Sequence, residues 1–173
     1  SRPVICMEIG LSLGSNLGDR LAHLKEARRL IGSIPCVRVL AQSPVYETSP
    51  VDVPGEFEHL PFLNAVALLE SSLRPELLLE EFRKIEKKMG RTGKTGRNDP
   101  RPIDIDIIFA GALSLDRDGL TIPHPRWSSR KFVVLPLSDV RPDMKLPGQT
   151  QTVLELLSAL PQGQKVVLLT RKW

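Results

Sequence analysis

Asp104 and Asp106, in the segment NDPRPIDIDIIF at 98–109, are the residues of this chain best suited to chemistry. Side chains alternate faces along a strand, so the two carboxylates share one face and Ile103, Ile105 and Ile107 the other. Alternate strand positions lie roughly 6.5 Å apart, a spacing at which two carboxylates grip one hard cation or flank a pair of them. Two like charges side by side are unfavourable without a compensating cation. The same alternation also describes the solvated face of an ordinary edge strand, and the spacing alone does not choose between the two.

The preceding segment favours a metal site. RTGKTGRNDPR, residues 91–101, carries Arg91, Lys94, Arg97 and Arg101, with Gly93 and Gly96 between them. Two glycines, a proline and no apolar anchor describe a polar loop. Cations on such a loop beside paired carboxylates suit a polyphosphate carried with magnesium: the acids hold the metal and the guanidinium groups clamp phosphate oxygens. Gly93-Lys94-Thr95 imitates the end of a P-loop, but that motif needs a glycine where the chain has Lys88 and a strand where a helix is expected. Gly10, Gly14 and Gly18 lack the spacing of a dinucleotide fingerprint.

The elements that must position these groups belong to a chain of 173 residues, 41% hydrophobic and 25% charged, which is expected to fold as one domain over 1–173. No apolar run approaches a membrane span and the N-terminus lacks a signal peptide's pattern, so a cytoplasmic protein with no membrane partner is expected. Cys6 and Cys36 are then expected to be reduced and buried. The net charge of +4 favours anionic partners. With 5% aromatics and none in the basic loop, nucleic acid is not expected among them.

A strand is expected near 5–13, ending at Gly14-Ser15-Asn16. A helix follows over 18–32 with Leu17, Leu21, Leu24, Ala27 and Ile31 on its stripe. Residues 37–46 read as a second strand interrupted near Pro44, and 62–70 as a third. Pro75 opens a helix to Met89, striped by Leu78, Phe82, Ile85 and Met89 and stopped by Gly90. The aspartate strand spans 101–109, and 113–122 holds a hairpin or loop. Residues 132–137 are a short apolar segment before proline-rich turns. Thr152 and Glu155 form a capping box for a helix to Leu160, and 166–170 closes the sheet. The irregular stretches 48–61 and 91–102 are long enough to be functional loops.

The motifs LGSNLGDR (13–20), VYETSPV (45–51), FLNAV (62–66), IEKKMGR (85–91), DPRPIDIDII (99–108) and IPHPR (122–126), in this order and spacing, resemble the 6-hydroxymethyl-7,8-dihydropterin pyrophosphokinase family over about 9–147. The resemblance implies an α+β, ferredoxin-like fold: an antiparallel sheet flanked by helices, with long catalytic loops. It implies transfer of pyrophosphate from ATP to the hydroxymethyl oxygen of the reduced pterin, with AMP released. It implies two magnesium ions held by Asp104 and Asp106, and arginines Arg91 and Arg101 acting on the transferring phosphates. Glu86, Thr121, His124 and Arg130 match nucleotide-site positions; Thr48, Ser49, Val51, Phe62, Asn64 and Phe132 match the pterin pocket.

Elementary chemistry accommodates these roles. Aromatic faces sandwich a flat pterin, and an amide offers its edge a donor and an acceptor. Without the resemblance, Phe62 and Phe132 read as core residues, His124 as structural and Glu86 as a surface carboxylate. Arg83 stands where relatives often carry glutamine and is left outside the site. Asn98 replaces a tryptophan and Pro125 a tyrosine found in some relatives, and 52–61 departs from shorter versions. Two other classes fit the same charges: an RNA-binding module tracking phosphates with the basic loop, and a magnesium-dependent nucleotide hydrolase using water as acceptor. The sequence does not fix the oligomeric state.

Overall fold

The computed structural model describes residues 5–48, 60–91, 100–117 and 119–173. Its elements run β1 (Met7–Ser15), α1 (Arg20–Gly32), β2 (Val37–Gln42), β3 (Val45–Thr48), β4 (Phe62–Ser71), α2 (Pro75–Lys88), β5 (Asp104–Ala110), β6 (Leu115–Arg117), β7 (Leu120–Ile122), α3 (Lys131–Val140), α4 (Val153–Ala159) and β8 (Val166–Thr170). Six strands form one antiparallel sheet in the order β5-β1-β4-β3-β8, with β2 also pairing β4. If β2 and β3 are taken as one broken strand, the first five elements of the sheet follow the split βαβ order of ferredoxin-like folds. The break falls at Ser43-Pro44, where Ser43 N–H donates to the Val66 carbonyl (2.8 Å) and Ser43 Oγ accepts from Val66 N–H (2.8 Å). Proline cannot donate to a ladder, so regular pairing stops here, and Ser43 satisfies both backbone groups of Val66 across the break.

Each face of the sheet buries its own core. On one, α1 and α2 pack Leu24, Ile31, Leu78, Phe82 and Ile85 against Ile9, Leu11, Leu13, Ile105 and Ile107. On the other, α3, α4 and Trp127 cover Val66, Leu68, Ile108 and Phe109. Gly10 is required by this second core, since a Cβ there would lie 2.3 Å from the Phe109 ring. Tyr46 Oη donates to Asp139, tying β3 to α3. Beyond β8, Trp173 Nε1 donates to the Ser43 carbonyl (2.7 Å) and its ring lies 4.6 Å beneath the Arg28 guanidinium.

The expected elements are present, with differences at their ends. β1 continues through Ser15 because Ser15 still pairs with Leu63. α1 starts at Arg20, two residues later than expected, because Asp19 accepts from Ala22 N–H (3.2 Å) as the N-cap; Leu17 therefore lies outside the helical stripe, 45% exposed. Residues 132–137 lie within α3, although Pro136 sits inside it. The first turn is set before the proline, as Val133 and Val134 N–H both donate to the Arg130 carbonyl (2.9 Å each). The 113–122 segment is the β6–β7 hairpin, and Thr152 with Glu155 forms the capping box of α4. Cys6 and Cys36 are free but exposed rather than buried, both lying at element ends outside either core. No helix among the described residues is long and apolar enough to cross a membrane.

Candidate active site

The register of the sheet places the acids. Asp104 pairs with Gly14 and Asp106 with Ser12, so both carboxyls rise on the α3 face over two residues with little bulk. Because β5 is an edge strand, its outward backbone groups need partners from elsewhere. Helix α2 supplies them: Arg83 Nη1 donates to the Ile105 carbonyl (3.0 Å) and Glu86 Oε2 accepts from Ile105 N–H (2.8 Å). Two side chains one turn apart thus occupy the edge between the two aspartates.

The same groups build a charge network. Arg91 Nη1 donates to Asp104 Oδ1 (2.6 Å) and to Glu86 Oε2 (2.9 Å). Arg83 Nη1 lies 2.7 Å from Glu86 Oε2, with Nη2 3.8 Å from Asp106 Oδ1, and Arg101 Nη1 lies 3.7 Å from Asp104 Oδ1. Gly90, at φ +100°, turns the chain so that Arg91 N–H returns to the Glu86 carbonyl (2.9 Å). Arg101 is fixed by Asn16, whose Oδ1 accepts from Arg101 N–H (2.7 Å) while Asn16 N–H donates to the Arg101 carbonyl (3.2 Å).

The two acids titrate in opposite directions. Burial works to raise Asp104, but the Arg101 and Arg91 guanidinium groups outweigh it and hold the carboxyl below its ordinary value. Asp106, partly buried, beside the Asp104 charge and bonded to it, is pushed up to about 7. This is a carboxylate pair with one charge too many, the donor set a hard divalent cation relieves.

His124 N–H donates to the Ile108 carbonyl (2.8 Å), aligning the imidazole beside β5. Its Nδ1 accepts from Arg126 N–H (3.0 Å), leaving the ring proton on Nε2. Burial, then Arg130 and Arg126, push His124 down to about 4, with Asp104 opposing them, so it is a neutral donor near pH 7. The Arg130 guanidinium lies 5.5 Å over the Phe132 ring at the start of α3.

At the same end of the sheet Thr48 pairs with Phe62, and Asn64 with both Gly14 and Tyr46, so these side chains share the aspartates' face. Gly14 makes room: a Cβ there would come 3.1 Å from Asn64 Nδ2 and 3.6 Å from the Phe62 ring. Among the described residues, Asn64 Oδ1 and Thr48 Oγ1 are buried and find no partner. Buried polar atoms are rarely left so, and two together beside Phe62 supply the chemistry to bond the edge of a flat polar ligand.

The 7,8-dihydro-6-hydroxymethylpterin-pyrophosphokinase family model matches residues 10–142. The chain belongs to this family. The pyrophosphokinase of Pseudomonas aeruginosa is 36% identical over 151 residues, 87% of this chain and 90% of that one. That of Bacillus subtilis is 38% identical over 130 residues, 75% of each. A folate synthesis bifunctional protein of Arabidopsis thaliana is 42% identical over 133 residues, but this chain spans only 27% of its length. In solved structures, the Plasmodium falciparum HPPK-DHPS with pteroate superimposes with a TM-score of 0.68 at 17% identity, over 91% of this chain and 43% of that one. The α+β, ferredoxin-like architecture is therefore the pyrophosphokinase family's own.

Within this pyrophosphokinase fold, Glu86, Arg91, Arg101, Asp104 and Asp106 form one cluster, and Phe62, Asn64 and Thr48 another on the same face. Thr121 is not drawn into either: it is exposed on the β6–β7 hairpin, with Oγ1 donating to Asp116 Oδ1 (3.1 Å). Ser49, Val51, Lys94, Arg97 and Asn98 lie outside the described residues. Glu86 is no surface carboxylate but 3% exposed, and Arg83, left outside the site by sequence, bridges it to Asp106. The signal was available in the helix: Phe82 and Glu86 stand four apart on the buried stripe, with Arg83 one turn before Glu86.

Proposed function

We propose that this chain transfers a pyrophosphoryl group from ATP to the hydroxymethyl oxygen of 6-hydroxymethyl-7,8-dihydropterin, releasing AMP. The observation that carries the reading is that a guanidinium-ringed acid pair and an unsatisfied buried amide share one sheet face, with Gly14 paired between Asp104 and Asn64. Asp104 and Asp106 would hold two magnesium ions, whose contribution when bound is to neutralise and orient the triphosphate.

The pterin hydroxyl oxygen forms the new bond to the β-phosphorus as its proton is released to solvent, and the bond from that phosphorus to the oxygen of AMP breaks in line, AMP leaving with the electron pair. Arg91 and Arg101 stabilise negative charge on the phosphoryl oxygens as it shifts. His124 donates a hydrogen bond from its Nε2–H to a phosphate oxygen, and Glu86 orients Arg91. Arg130 binds the nucleotide's phosphates. Phe62 and Phe132 stack on the pterin, while Asn64 and Thr48 bond its edge. Arg83 stays with Glu86 and the Ile105 carbonyl as a support of the acid pair.

The deciding experiment incubates the protein with ATP and magnesium, with and without the reduced pterin. AMP and pterin diphosphate are expected in equal amounts, and only when the pterin is present. AMP without pterin would make the chain a nucleotide hydrolase; no AMP in either tube would sink the proposal.

The pocket makes its own prediction. Asn64→Leu should raise the KM for the pterin about tenfold or more, with the KM for ATP unchanged. Stability should stay within about 1 kcal/mol, since among the described residues Oδ1 has no bond to lose. Urea unfolding and two-substrate kinetics check both halves.

A further inference from the structure

Gln164 lies in the connection from α4 to β8, outside the stretch 10–142 that matches the family model. Its side-chain amide nonetheless reaches the candidate site's wall. Oε1 accepts from Lys131 N–H (2.8 Å) and Nε2 donates to the Ser129 carbonyl (3.0 Å). The two backbone groups so held flank Arg130 on either side. A primary amide carries one acceptor and two donors in a plane, so it engages a peptide segment as a neighbouring strand does. Only this orientation satisfies both groups; with N and O exchanged, donor would face donor and acceptor face acceptor.

Ser129–Lys131 is where the chain passes from a short 3₁₀ turn, Trp127–Ser129, into α3. Arg130 there is neither strand nor helix, with φ −106° and ψ 107°. Its own N–H donates to the Trp127 carbonyl (3.2 Å). Phe132, by contrast, is already inside the helix and packs against the second core. The direction of the Arg130 side chain therefore depends on the junction that Gln164 spans.

We infer that Gln164 is a positioning residue for ATP: its amide clips the Ser129–Lys131 backbone and so aims Arg130 at the nucleotide phosphates. The inference rests on the proposed nucleotide role of Arg130. A group misplaced by a fraction of an ångström loses much of its hold on a phosphate, and two backbone bonds are lost together in Gln164→Leu.

The test is a double-mutant cycle on the full chain, with steady-state kinetics in both substrates and thermal unfolding as a check on folding. Gln164→Leu should raise the KM for ATP about tenfold with the pterin KM unchanged, and should do nothing further in an Arg130→Ala background. An equal rise in both backgrounds overturns the inference, because the residue then acts on the scaffold and not through Arg130. No rise from Gln164→Leu where Arg130→Ala does weaken ATP also overturns it, and leaves the nucleotide site standing. If Arg130→Ala leaves ATP binding unchanged, the nucleotide role of Arg130 falls and the inference with it. Should the leucine variant fail to fold, Gln164→Glu carries the same cycle, since it keeps the acceptor for Lys131 N–H and loses the donor to Ser129.

Discussion

Asp106→Asn is expected to reduce magnesium-dependent turnover by about a thousandfold or more, while making the metal-free protein more stable at pH 8. The sign follows from the raised carboxyl. Folded Asp106 titrates at about 7 against an ordinary 3.8, so between those values the native state holds a proton that the unfolded chain has released. Stability in the presence of a chelator therefore declines as pH rises from about 4 to about 7, and is steady with respect to this group above that. Asparagine removes the decline. Asp104→Ala should lose turnover equally and yet lower stability, since Arg91 and Arg101 hold that carboxyl in its charged form and would lose their partner. Urea midpoints at pH 5 and pH 8, with EDTA, separate the two aspartates. Matching pH slopes for wild type and Asp106→Asn would contradict the assignment.

Glu86→Leu is expected to be the most destabilising single change in the site, at about 3 kcal/mol. Removing this carboxylate strands the Ile105 N–H, which is buried at the sheet edge, and leaves Arg83 and Arg91 as neighbouring cations without their shared counter-ion. Glu86→Gln retains one acceptor and should cost about half as much. Turnover should fall in both variants, because Arg91 is bonded by Glu86 and Asp104 together and a single tether no longer defines its direction. Denaturant unfolding and kcat measured on the same preparations check the pairing. An unchanged midpoint for Glu86→Leu would show that the buried contacts contribute nothing.

Much of this arrangement was legible in residue order. The Asp-Ile-Asp-Ile alternation fixed which residues face the core, and Ile103, Ile105 and Ile107 are all buried there. The stripes of α1 and α2, the capping box and the break at Pro44 likewise follow from local chemistry. Without the resemblance Glu86 reads as a surface carboxylate: its place four residues after Phe82 signals burial, but nothing local reveals that α2 lies along an unpaired edge whose N–H needs an acceptor. α3 was obscured by Pro136, which is tolerated where the first turn and the second core already hold the segment. The exposure of Cys6 and Cys36 depends on which element ends the cores leave uncovered, a tertiary matter. Arg83 and Gln164 share one reason for escaping notice: each acts on backbone groups, and backbone demand cannot be read from side-chain type. Composition and motif identify who carries charge, while topology decides who is left without a partner.

The way α2 finishes β5 bears on solubility as well as chemistry. A bare strand margin is an invitation for a second copy to anneal, and Arg83 and Glu86 withhold that invitation at Ile105 by saturating both its amide and its carbonyl. The residues that organise the acids thereby also discourage self-association at the point where an incoming chain would bury them.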